Sequence, residues 1–348
     1  MLGGDLLQAS AFYQQAVTLF QKLGDRQGLV SSLATLMVIG EGGSYEVDTM
    51  VPDSTSYALS LHFGEQAIRT AREIGQSSAE VYALLAMAQY LGPHGEYARA
   101  WEVARAGLTL AEHIEHRQWL AGTHWQVGEL YLDLLAFPEA GMHLEQALTL
   151  AREVGSWNWI RIVSSTLASV YVFQQNFPSA EACLTAALES DAAMQTVGQR
   201  LVWAARTDLA LAGGNPAQAL SIAERLIATA ANLSSQHVIP RLWKLRGEAL
   251  AALNQQEEAE TLLLAARTTA QAQGLRPSLW RICVALDKLY TTQRRQEAEE
   301  AFSTAQTLIE ELAADLSDET LRLRFLASAT LLFPKKRPLT PIRAIKQA

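Results

Sequence analysis

Apolar and polar positions along most of this chain follow the period of an α-helix, and the helical stretches come in pairs of near-constant length. The segments EQAIRTAREIG (65–75) and EQALTLAREVG (145–155) are near copies, with RAGLTLAEHIE (105–115) between them in the same phase. With Ala67 as anchor, the equivalent positions are Gly107, Ala147, Ala187, Leu226, Ala266 and Ala305, each 39 or 40 residues after the last; Ala16 anchors an earlier unit. Seven residues before the anchors stand Ala9, Ser60, Ala100, Ala140, Ala180, Ala219, Ala259 and Ala298, all of them small. Seven residues make two helical turns, so each small pair lies on one stripe where a neighbouring helix approaches closely. Nineteen before the anchor, in the preceding helix, come Ala88, Gly128, Ala168 and Gly247, while Thr207 and Leu286 depart from the rule. Self-similarity at a fixed interval predicts a stacked array of helical hairpins.

The boundaries agree with that array. Phe137-Pro138, Phe177-Pro178 and Asn215-Pro216 put proline in a first helical turn, where its missing N–H costs nothing, and Gly24, Gly75, Gly155 and Gly274 stand where second helices end in a left-handed residue. Residues 40–56 expand the turn inside the second hairpin as a surface insertion. These spacings resemble the tetratricopeptide repeat. His124-Val127-Gly128-Tyr131-Ala140-Ala147 carries its pattern with His in place of Trp, and Trp243-Arg246-Gly247-Leu250-Ala259-Ala266 carries it with Arg in place of Leu. The period is longer than the usual 34 residues of that family. The resemblance implies an all-α, right-handed superhelical solenoid of about eight antiparallel hairpins, the first incomplete. We divide the chain into a repeat domain (1–316), a capping helix (317–333) with Leu321, Phe325 and Leu326 as its apolar stripe, and a basic, proline-containing tail (334–348). The first helix, with Leu6, Leu7, Phe12, Val17 and Phe20, opens in mid-hairpin and is too apolar for a polar cap; it implies an upstream part and invites self-association.

Composition removes several classes of function. A net charge of -8 and a pI near 5.5 argue against a nucleic-acid surface, which needs clustered Lys and Arg. Cys183 and Cys283 lie a hundred residues apart inside helical segments and read as buried apolar groups in a reducing compartment. No signal peptide or membrane-length apolar run is present, so a soluble cytoplasmic protein is expected. His113 and His116, in HIEH, lack a third ligand and read as a solvated helix end, not a metal site. With no nucleophile constellation or phosphate loop, neither cofactor nor catalysis is expected.

The candidate working surface is the groove that, by the resemblance, first helices line. The position after the small residue points into it and reads Gln89, Glu129, Ser169, Asp208, Glu248, Asp287; nearby stand Trp125, Lys244 and Cys283, then Arg241 and Trp280. Carboxylates beside indoles favour a cationic or amide-rich ligand. The candidate contacts are Trp125, Glu129, Asp208, Arg241, Lys244, Glu248, Trp280 and Asp287, for a protein or peptide partner or a small inducer. The competing reading is a solvated face on which Lys244 pairs with Glu248. Trp203 and Trp243, each followed three residues later by Arg206 and Arg246, read as core, with a cation-aromatic pair plausible at that spacing.

Near the end, Asp318-Glu319, Leu321-Arg322 and Phe325-Leu326, followed by Lys335, Lys336, Arg337, Arg343 and Lys346 among prolines, are similar to the segment before the DNA-binding domain of large LuxR-type bacterial regulators, the group of the maltose-regulon activator. Cyclase-linked and kinase-linked signalling proteins end helical arrays alike. The resemblance implies a sensor segment that receives an inducer or partner and passes the change to flanking modules. Neither a GxxxxGK[ST] loop nor a helix-turn-helix occurs in the chain. A free-standing adaptor is the alternative.

Overall fold

The computed structural model describes residues 6–37, 57–190, 192–230, 238–290 and 294–334. Among them every regular element is helical. A lone helix α1 (Leu6–Leu23) is followed by seven hairpins: α2 (Arg26–Met37) with α3 (Tyr57–Glu73), α4 (Ser77–Leu91) with α5 (Tyr97–His113), α6 (Arg117–Asp133) with α7 (Phe137–Glu153), α8 (Trp157–Phe173) with α9 (Phe177–Ala187), α10 (Val197–Ala212) with α11 (Pro216–Ala228), α12 (Pro240–Ala252) with α13 (Gln256–Ala272), and α14 (Arg276–Tyr290) with α15 (Arg295–Ala314). A last helix, α16 (Glu319–Thr330), packs on α15. The expected insertion at 40–56 and the basic tail lie outside the described residues, apart from Pro334.

The small residues are small because something occupies their space. A Cβ on Gly128 would stand 2.6 Å from Cγ of Leu144, and one on Gly247 would stand 2.9 Å from Cγ of Leu263, each leucine lying three before its anchor. Ala100, Ala140, Ala147, Ala180, Ala219, Ala259, Ala266 and Ala305 are all fully buried, so the stripe is the seam on which each second helix meets its partner. In α1, Ala9 and Ala16 keep partial exposure and Phe12, Leu19 and Leu23 stand well out in solvent.

Most turns are short because the helix before them stops on a left-handed residue. Gly24, Gly75, Gly155 and Gly274 have φ of +68, +66, +66 and +66°, and in each case the next residue's N–H reaches back to a carbonyl five positions earlier, as Ser156 does to Ala151. Where no glycine is available the geometry persists: Glu115, Leu135, Gln175 and Asn254 have φ between +51 and +63°. Pro138, Pro178 and Pro216 open α7, α9 and α11. Two second helices are short, α9 with 11 residues and α11 with 13, against 17 in α3, α5, α7 and α13. α9 ends at Ala187, and the chain runs on without helix to α10, its carbonyls taken up by side chains: Arg206 donates to Leu188 and Glu189, and the Trp203 indole to Ala192 (3.2 Å).

Successive first helices touch one another (α2 with α4, α4 with α6, α6 with α8, α8 with α10, α10 with α12, α12 with α14), whereas successive second helices make no comparable contact. First helices therefore form the inner layer and second helices splay on the outer one. The curvature is strong enough to bring the ends of the ribbon together. Five hairpins after the α4–α5 turn, Arg276 of α14 donates to the carbonyls of His94 (2.9 Å) and Gly95 (3.1 Å), and Arg281 donates to Asp133 at the end of α6. The edges of the array are thus joined by contacts between residues 148 to 217 positions apart. No described helix is long and apolar enough to cross a membrane.

Candidate functional site

The inner layer brings Asp208, Arg241, Lys244 and Glu248 together on α10 and α12. Arg241 pairs with Asp208 across the two helices at 3.3 Å, and Lys244 pairs with Glu248 one turn along α12 at 2.8 Å; all four side chains are between 20 and 30% exposed. Protein around the concave floor displaces water from Asp208 and raises its pKa, against which Arg241 and Lys244 act. Lys288 of α14 joins the group. Although it is exposed, desolvation by its surroundings holds its ammonium below the ordinary lysine value, while Glu248 pulls the other way and Lys244 adds repulsion. The group is therefore two ion pairs with a third cation beside them across three first helices, which includes the Lys244–Glu248 pair that the competing reading expected. Lys288 was missed because it lies one position beyond the predicted row.

The remaining predicted residues are placed differently. Glu129 is half-buried on α6. Trp125 is only 6% exposed: its indole donates to Thr166 (3.0 Å) and its ring lies 5.7 Å from Trp159. Trp280 and Asp287 are wholly buried, which corrects their expected position along the groove. Trp280 sits 4.5 Å beneath Arg281 and edge-on to Phe325 of α16, so it is walled in by its own helix and the last one. The two repeated tryptophans are core, as expected. Arg206 covers the Trp203 ring at 4.6 Å, whereas Arg246 turns to Glu224 (3.1 Å).

His116 is the N-cap of α6, accepting from the N–H of Trp119, and among the described residues no three His, Cys, Asp or Glu side chains gather at metal-binding distance. Cys183 and Cys283 are free and buried, and burial raises both thiols, Cys283 to about 11. Such thiols are poor nucleophiles at neutral pH. His124 and His143 face each other across α6 and α7 with their Nδ1 atoms 3.0 Å apart.

No curated protein matches the chain by sequence. Among solved structures, the chain is similar to BtubC from P. vanneervenii, with 19% identity over 63% of this chain and 92% of that one and a TM-score of 0.46. It is similar also to yeast Tom70 (15% identity, 93% of this chain and 59% of that one, TM-score 0.45) and to a tetratricopeptide repeat protein from Parabacteroides merdae (13% identity, 93% and 99%, TM-score 0.38). Residues 119–193, the stretch from the first turn of α6 to just past α9, match the family model of the tetratricopeptide repeat.

Proposed function

We propose that this chain works by binding, without catalysis, and that it holds an extended protein segment or a small ligand against the inner faces of α10, α12 and α14. The observation that carries this reading is the charge ladder of Asp208–Arg241, Lys244–Glu248 and Lys288 on a concave, partly desolvated floor. Ionic groups in such surroundings interact more strongly than on an open surface. Because the carboxylates are already matched by cations, the floor suits a peptide better than a simple cation: a peptide offers amide donors, carbonyl acceptors and charges of both signs.

The test is a thermal-shift screen of metabolites and basic peptides against the wild type and a variant with Glu129→Ala, Asp208→Ala and Glu248→Ala. At least one stabilising hit is expected to weaken in the variant. Every hit persisting at full strength would put the binding surface elsewhere.

We place this binding activity in a bacterial signal-transduction or transcriptional regulator, as the sensor segment, on the sequence around α16 and the basic stretch after it. The genomic reading frame tests that placement. A nucleotide-binding loop upstream or a helix-turn-helix downstream supports it, and stop codons on both sides favour a free-standing adaptor.

A further inference from the structure

We propose that the contact between the last hairpin and the turns of α4–α5 and α6–α7 is a releasable clasp, which sets how tightly the superhelix is wound and so how wide its inner groove stands. In a linear array each repeat touches only its neighbours. Here the ribbon has completed a turn, and the edge bearing the α13–α14 junction meets the opposite edge, bearing the α4–α5 and α6–α7 turns.

Arg276, Arg281 and Asp315 each meet a helix end of opposite sign, and Arg324 adds an ion pair with a side chain. Arg276 caps carbonyls just past the end of α4, and Arg281 caps the last carbonyl of α6 (3.0 Å) as well as the carboxylate of Asp133 (3.2 Å). Helix C-termini carry unsatisfied carbonyls and partial negative charge, which a guanidinium satisfies. At the other polarity, the Asp315 carboxylate accepts from the N–H of Ala98 in the first turn of α5 (2.9 Å). Arg324 of α16 pairs with Glu139 in the first turn of α7. Gly95, with φ of +74°, is the seat for this approach, since a Cβ there would collide with Leu312 of α15.

What makes the clasp releasable is that, beside the buried contact of Leu312 with Gly95, its charged pairs reach water. Neighbouring hairpins are joined through buried small and apolar residues, but the outer clasp contacts are ionic and water-accessible: Arg281 and Asp133 are 23 and 27% exposed, and Arg324 and Glu139 are 41 and 32% exposed. Salt screens such contacts and leaves apolar stacking intact. The helix that carries Arg276 and Arg281 at one end carries Lys288 beside the charge ladder at the other, so a shift of α14 alters clasp and groove together. The clasp itself stands whether or not the ladder is the binding surface.

The experiment measures hydrogen exchange over residues 92–98 and the radius of gyration by small-angle scattering. It compares wild type in low and high salt, Arg276→Ala/Arg281→Ala, Gly95→Leu, and Arg246→Ala as a neighbour-pair control. The clasp variants and high salt are expected to speed exchange at 92–98 by about tenfold or more and to enlarge the radius with helicity retained, while Arg246→Ala does neither. Equal exchange and an unchanged radius in all samples would overturn the proposal. So would loss of helicity along the whole chain in both clasp variants, because the contact would then be part of the core and not a clasp.

Discussion

His124 stands where the repeat family usually places a bulky aromatic, and its surroundings keep it uncharged. It is 5% exposed, its Nδ1 lies 3.0 Å from that of His143, and burial lowers its pKa to about 4, with repulsion from His143 as the lesser cause. Above pH 6.5 both folded and unfolded chains hold His124 neutral. Below 6.5 the unfolded chain takes up a proton that the folded chain refuses until about pH 4, so stability is full above that window and falls as pH drops through it. Between pH 7 and 4.5, urea unfolding of the wild type is expected to lose about 2 kcal/mol more than that of His124→Leu. Equal losses would show that the histidine is charged in the fold or already solvated. At this scale the sequence was informative about packing: from α3 onward the small residues at anchor and anchor minus seven are buried, and Gly128 is needed because Leu144 fills its side-chain space. It said nothing about which nitrogen meets which. The opposition of His124 and His143 follows from how α6 crosses α7.

Most hairpins end their helices on left-handed residues, and the residue used sets a local cost. Gly155 has φ of +66° and nothing lies within 4 Å of where a Cβ would stand, so Gly155→Ala meets backbone strain alone and is expected to lower stability by about 1 kcal/mol. Gln175 and Glu115 hold the same conformation at exposed positions without glycine's freedom. Gln175→Gly and Glu115→Gly are expected to leave stability unchanged or raise it by up to about 1 kcal/mol, read as a rise in Tm, whereas a fall in Tm for both would mean that their side chains hold the turn. Glycine punctuation was legible at 24, 75, 155 and 274, and Asn254 is itself suited to the left-handed region, but at 115, 135 and 175 the same turn is made by residues that give no such signal. The early end of α9 was likewise hidden. Its cause is in α10, where Arg200, Trp203 and Arg206 bond the carbonyls of the connecting segment and replace the missing turn.

Over the whole molecule, the clasp divides the array into a ring, from α4 to α16, and a free arm, from α1 to α3. Helices in the ring are held on two edges, while the arm stacks on one side only and α1 leaves Phe12, Leu19 and Leu23 at 59, 54 and 68% exposure. Native-state hydrogen exchange is expected to show α1–α3 opening at lower free energy than α6–α8, a gradient that a uniform linear array would not have; matching protection in the two regions would argue against the ring. The placement of the expected groove residues follows from the same division. Asp208, Arg241, Lys244 and Glu248 meet on neighbouring first helices whose register the repeat interval already implied, whereas Trp280, one turn into α14, is buried between Arg281 and Phe325 of the last helix. The sequence by itself determined the helices, their pairing and the seam between them, because each of those rests on contacts within one or two units that a periodic pattern records directly. The closure of the ribbon and the contacts that seal it were settled by the three-dimensional arrangement alone. Those depend on small rotations accumulated over five hairpins, and residues 148 to 217 positions apart share no periodic signal that would announce their meeting.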